Sequence, residues 1–198
     1  MLKQQICDGV DIVLTNLFLV RHAHSVYTPD ELGRPLSERG FSDIPKVNEI
    51  LTSENIDIVI SSPYKRAIQT VEGIAAHIDK EVEILEGFKE RLLSADSVED
   101  FNHAITKVWD DFSFSLKGGE SNNMAQARGV ETTYTVLDKY KGKNVVIGTH
   151  GNIMVLIMNY FNSQFDFPFW KKLDMPDIYK LSFDGKELKS VSRLWERS

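Results

Sequence analysis

The run LFLVRHAHS, residues 17–25, decides how the rest of the chain is read. Its four leading apolar residues read as a buried strand, and the strand stops abruptly at Arg21. His22 and His24 follow, with only Ala23 between them. The whole chain has five histidines, so two within three positions at a strand end ask for an explanation. A metal clip, a catalytic site and a polar turn are the candidates.

The same pattern occurs twice more. IDIVI (56–60) reads as a second strand and runs into SSPYKRAIQT (61–70), which puts Arg66 in the first turn of a helix. NVVI (144–147) reads as a third and ends in GTHGN, where His150 stands between Thr149 and Gly151-Asn152 at the start of an apolar helix over 153–161. Helical stripes lie between the strands: Tyr64, Ala67, Ile68, Val71, Ile74, Ala75 and Ile78 on one face, then Val98, Phe101, Ala104, Ile105, Val108, Trp109 and Phe112 on another. Ser121 is placed to cap a helix running to about Tyr140. Phe41, Ile44, Val47 and Leu51 mark a further helix, with Pro45 expected near its first turn. Near the C-terminus Tyr179, Leu181 and Phe183 alternate with polar residues, as do Val191, Arg193 and Trp195. Asp184-Gly185 between them predicts a type I′ turn and an edge β-hairpin.

Strands alternating with helices imply an α/β fold, a three-layer α/β/α sandwich with a mostly parallel sheet and a C-terminal hairpin. Ligands of such sheets sit beyond the carboxyl ends of the strands. Arg21 and His22, Arg66, and His150 with its helix N-terminus would then meet at one edge, a composition that suits an anion.

The bulk numbers fit a small anionic ligand better than a large one. A chain of 198 residues is read as one domain, 1–198, and its net charge of -6 argues against nucleic acid or an anionic membrane as a partner. The single cysteine, Cys7, suits a reducing cytosol. No apolar run approaches membrane-spanning length, and Asp8 and Asp11 interrupt the stretch where a signal peptide would be apolar. A cytoplasmic location is expected.

RHAHS, SSPYKRAIQT and GTHGN, in that order and at strand ends, resemble the histidine phosphatase (phosphoglycerate mutase-like) superfamily. PLSERG (35–40), FKER (88–91), GGES (118–121) and MPDIYKL (175–181) are similar to its secondary signatures. The resemblance covers the chain from about Leu17 onward and leaves 1–16 as an N-terminal extension. It implies that His22 is a phosphoryl acceptor, that Arg21, Arg66 and His150 bind the phosphoryl oxygens, and that Glu90 is the general acid and then the base. A glutamate in that role must carry its proton at neutral pH, so Arg91 is expected to point elsewhere or to spend its charge on substrate. Ser25, Thr28, Arg91, Ser121, Gly151 and Asn152 are the further candidates for substrate binding. Relatives commonly have glutamate where this chain has His24, and often asparagine at the position of Thr28. The implied chemistry needs no metal and no cofactor, because guanidinium groups supply the positive charge. Two arginines beside a His-x-His pair also argue against a bound dication.

Other residues carry blander readings. His24 is read as a wall or hydrogen-bonding residue, His77 and His103 as surface histidines, and Arg34, Arg39, Lys65 and Arg128 as surface charges. Residues 92–117 are read as a lid, acidic and aromatic, and as a poor clamp for a bisphosphate. A phosphatase acting on a small phosphorylated metabolite is therefore expected. A cofactor-dependent phosphoglycerate mutase activity is the alternative, and a non-catalytic phospho-ligand-binding domain a more distant one. Oligomeric state, including a homo-oligomer, is left open.

Overall fold

The computed structural model describes residues 13–196. Its middle layer is one six-stranded sheet of β1 (Thr15–Arg21), β2 (Ile58–Ser61), β3 (Glu83–Ile84), β4 (Asn144–Thr149), β5 (Asp177–Asp184) and β6 (Glu187–Arg193), in the order β3-β2-β4-β1-β5-β6. The four strands β3, β2, β4 and β1 run parallel, while β5 and β6 are antiparallel additions at one edge. The helices are α1 (Glu38–Thr52), α2 (Lys65–His77), α3 (Phe101–Asp110), α4 (Asn122–Lys139), α5 (Gly151–Phe161) and the single turn α6 (Phe167–Trp170).

Successive side chains on a strand face opposite ways, so the apolar run of β1 feeds two cores. Leu17 and Leu19 join Ile60, Ile147 and the apolar faces of α4 and α5. Phe18 and Val20 join Val59, Val146, Val47 and Leu51 of α1, and Val71 and Ile74 of α2. Each of the four is fully buried, and burying side chains of this size contributes roughly 1.5–3 kcal/mol apiece. That double burial is why the strand carries no polar alternation, and it fixes three layers.

Several local expectations shift. Cys7 and most of the expected N-terminal extension lie outside the described residues, but Thr15 and Asn16 belong to β1. They pair across to Phe183 and Ser182, and Asn16 Nδ2 donates to Asn144 Oδ1 at 2.8 Å. Pro45 sits in the middle of α1 rather than in its first turn, because Ser37 Oγ caps the helix by accepting from Gly40 N. The bond lost at Pro45 is to the carbonyl of Phe41, a residue on the exposed face, where water can replace it. Helix α3 starts at Phe101, not at Val98, since Asp100 is its N-cap and accepts from His103 N. The hairpin turns at Gly185-Lys186, one residue later than expected. Positive φ at Gly185 (57°) and not at Lys186 fits a type II′ turn instead of type I′. β3 and α6 were not anticipated, although Asp166 before FPFW is an N-cap followed by proline at the helix start.

Candidate active site

The carboxyl ends of β1, β2 and β4 do meet at one edge. His22 N donates to Thr149 O at 3.0 Å and Ser62 N to Gly148 O at 2.9 Å, which ties the three strand exits together. A cleft of about 490 Å³ opens there, lined by Arg21, His22, Arg66, Glu90, Arg91, Gly151 and Asn152 among others. Arg34, Glu31, Tyr64 and Trp170 also line it.

His22 is 5% exposed, and its ring is oriented by its own backbone neighbour. Nδ1 lies 2.8 Å from the carbonyl of Ala23, a pure acceptor, so the proton resides on Nδ1 and Nε2 carries the lone pair. Arg66 Nε donates to that lone pair at 3.2 Å. Burial, with Arg66 and Arg21 close by, pushes the His22 pKa down to about 3, so the ring is neutral across the physiological range. A neutral imidazole whose Nε2 lone pair faces cations is a competent nucleophile toward a bound phosphoryl group once Arg66 Nε turns from that lone pair to the phosphoryl oxygens.

The arginines are held by backbone carbonyls. Arg66 Nη1 donates to Glu31 O at 2.7 Å, and its guanidinium stacks on Tyr64 with 4.6 Å to the ring centroid. Arg21 Nη1 donates to the carbonyls of Leu173 and Asp174, in a loop pinned by Asp177 and Arg193. Arg21 Nε, Arg91 Nε and Nη1, and Trp170 Nε1 are buried without a protein partner. A Cβ at Gly151 would come 3.1 Å from Arg21 Nε and 3.3 Å from Trp170 Nε1. Glycine there lets both donors approach the start of α5.

The N-terminus of α5 is filled by Glu90. Its carboxylate accepts from Asn152 N at 3.2 Å and from Ile153 N at 3.1 Å, and also from Arg91 N. The helix N-terminus expected to face the anion therefore faces Glu90, a favourable place for a negative group. Oε2 accepts from Asn152 N alone, while Oε1 accepts from Ile153 N and Arg91 N.

A family model for the histidine phosphatase superfamily (branch 1) matches residues 17–195. The chain belongs to the histidine phosphatase superfamily. It is 27% identical over 167 residues to phosphoglycerate mutase-like protein 4 of Arabidopsis thaliana, covering 74% of this chain and 71% of that protein. It is 28% identical over 152 residues to phosphoserine phosphatase 1 of Hydrogenobacter thermophilus, covering 69% and 71%. Among solved structures, a mycobacterial glucosyl-3-phosphoglycerate phosphatase bound to VO3 has the same fold, with TM-score 0.76 and 18% identity over 92% of this chain and 99% of that one.

In this histidine phosphatase the anticipated residues divide into two groups. Arg21, His22, Arg66, Glu90, Arg91, Gly151 and Asn152 share the cleft. His150 lies behind it, fully buried, its ring edge-on to His22 at 5.2 Å between centroids and its Nε2 sharing a 2.8 Å hydrogen bond with Ser62 Oγ. Ser25, Thr28 and Ser121 do not line the cleft. Ser25 bridges to Leu36, Thr28 Oγ1 donates to Asp30 O at 3.0 Å, and Ser121 Oγ is spent capping α4. Arg91 points inward, which leaves only the second of its expected uses, a charge available to substrate. His24 turns away from His22 and shares a 2.7 Å hydrogen bond with Ser37 Oγ, the cap of α1, so the two histidines do not form a clip. His77 and His103 are exposed.

Two residues read as surface charges are not. Arg34 lines the cleft with its Nε buried, and Arg128 is clamped on Glu120 through Nε (2.9 Å) and Nη2 (2.8 Å) while Nη1 donates to the carbonyls of Gly87 and Lys89. Glu120 in turn accepts from Leu92 N at 3.2 Å, so the pair brackets the segment that carries Glu90. The sequence signal for Arg128 was the glutamate of GGES eight residues before it, just ahead of the N-cap of α4; Arg34 gave no comparable signal. Among the described residues, no three His, Cys, Asp or Glu side chains gather as a metal-holding group, and no helix is long and apolar enough to cross a membrane.

Proposed function

We propose that this chain hydrolyses phosphomonoesters of small metabolites through a phosphohistidine formed on Nε2 of His22, as a cytoplasmic single-domain enzyme without metal or cofactor. The observation that carries this reading is the His22 ring itself: neutral, fixed in one tautomer by Ala23 O, and presenting Nε2 to a cleft of guanidinium groups.

In the first step Nε2 attacks phosphorus and the ester P–O bond breaks. Arg21, Arg66 and Arg91 face the phosphoryl oxygens, where charge is spread in the transition state. Glu90 gives its proton to the departing alkoxide. In the second step water attacks the phosphohistidine, the P–N bond breaks, Glu90 takes the water's proton, and phosphate leaves a neutral His22. His150 supports the His22 ring from behind and, by the family resemblance, joins the phosphoryl contacts after a small rearrangement. The guanidinium groups do the electrostatic work that a metal would otherwise do.

Hydrolysis is favoured over transfer because residues 92–117 bring no cation into the cleft to hold a second phosphate; neither Lys107 nor Lys117 lines it. The relatives named phosphatases support the same side. The test is p-nitrophenyl phosphate turnover in chelator, beside His22→Ala. Retained wild-type activity and a loss of at least about 10³-fold in the variant are expected. Equal rates would refute the nucleophile, loss in chelator restored by zinc or manganese would refute metal independence, and efficient phosphoryl transfer between glycerate positions would favour the mutase reading.

A further inference from the structure

The cleft has two unlike ends. Around His22 it is cationic, with Arg21, Arg34 and Arg66. The mouth is walled instead by Leu92, Leu93, Val98 and Phe101, facing Trp170 and Met175. We propose that this wall selects phosphomonoesters of apolar alcohols, alkyl or aryl, over those of sugars and polyols. The inference rests on the phosphohydrolase reading above and names its substrate class.

Residues 92–117 are rich in charge, yet none of Asp96, Glu99, Asp100, Lys107, Asp110, Asp111 or Lys117 lines the cleft. The segment sends its charges to solvent and its apolar side chains inward. Leu92 and Phe101 are 50% and 51% exposed, a cost in water that single surface residues incur routinely but a concave cluster beside a reactive centre does not incur by chance. Ser94 is the one polar side chain this segment brings to the cleft. Asn152, which supplies the side-chain amide in the cleft lining, already has its Oδ1 engaged by Trp109 Nε1 at 3.2 Å. Against Leu92, Leu93, Val98 and Phe101 a sugar's hydroxyls would find only Ser94 as a side-chain partner from this segment, whereas an alkyl or aryl body would displace water from that apolar surface.

The wall is built, not a loose flap. Leu92 is held through both backbone groups by Glu120, whose N donates to Leu92 O and whose carboxylate accepts from Leu92 N. Ala95 N donates to Lys117 O at 3.1 Å, closing the segment on itself. Asp100 caps α3, and Trp109 on α3 stacks on Phe167, which stacks on Trp170, so both sides of the mouth share one aromatic ladder. Walls held this way present a fixed shape to the leaving group.

The test uses ethyl, butyl and hexyl phosphate, whose leaving groups differ little in basicity, with glycerol 3-phosphate and glucose 6-phosphate for comparison. The expected kcat/KM rises about two- to fourfold per added methylene along the alkyl series and exceeds both polyol esters at hexyl. The double variant L92S/F101S should flatten that slope, a ratio that does not depend on the fraction of active protein. Alkylphosphonates of the same lengths, titrated by calorimetry, read the wall apart from catalysis. Affinity rising with chain length is expected. Flat phosphonate affinities, or polyol esters turned over faster than hexyl phosphate, would overturn the proposal. Rising phosphonate affinity with no phosphate released from any ester would leave the wall standing and refute the phosphohydrolase reading.

Discussion

Keeping His22 neutral has a consequence for stability in acid. Its pKa falls from an ordinary 6.5 in the unfolded chain to about 3 in the fold, chiefly through burial. Between those values the unfolded chain holds a proton that the folded one refuses, so folding loses free energy as pH drops from 6.5 towards 3. A single group with that shift costs about 2 kcal/mol at pH 5 and up to about 1.4 kcal/mol for each further pH unit. His150, whose pKa is also depressed well below 6.5 by burial, adds a loss of the same sign. The perturbation is His22→Gln, which removes one titrating group. Denaturant unfolding followed by the fluorescence of the three tryptophans, at pH values from 7 to 4.5 in phosphate-free buffer, supplies the stabilities. Wild type should lose about 2 kcal/mol more than the variant between pH 7 and pH 5, whatever the variant's stability at pH 7. Carboxylates titrate alike in both proteins and cancel. Parallel curves would mean that His22 is protonated in the native state, and the argument for a resting nucleophile would fail.

Two further predictions address how the site is held. Arg128→Ala removes the clamp on Gly87 and Lys89 and leaves the carboxylate of Glu120 unpaired; about 2–3 kcal/mol of stability should be lost by thermal melting, and kcat should fall more than KM rises because Glu90 is displaced. Unchanged kcat in a folded variant would detach Glu90 from the clamp. Ser37→Ala removes the cap of α1 and the partner of His24, which should cost about 1 kcal/mol while leaving the pH profile of turnover unchanged; an altered profile would bring His24 into the chemistry.

The parts legible in the sequence were those with a local cause. The apolar run at β1 signalled double burial, and the two cores on either side of Phe18 and Leu19 follow from it. Arg21, His22, Arg66 and Glu90 could be picked out because they stand at strand or loop exits within motifs that resemble one family. Trp170 and Arg34 could not, since their roles depend on the approach of segments far apart in sequence: the α6 turn folds over Gly151, and the loop carrying Glu31 lies against Arg66. The inner face of the lid was hidden for the same reason. Composition counts its charges, whereas only the fold shows that they face away from the cleft and that Leu92 and Phe101 face in.

The central claim is a covalent bond between phosphorus and His22 Nε2. Rapid quenching of the enzyme with ³²P-labelled phosphomonoester into base, followed by peptide mapping, tests it most directly. The account predicts an acid-labile, base-stable label on the peptide containing His22, absent from His22→Ala and, with p-nitrophenyl phosphate, whose leaving group departs without a proton, accumulating in a Glu90→Gln variant whose second step is slowed. A wild-type enzyme that turns over with no label, or with the label on any other residue, would contradict it.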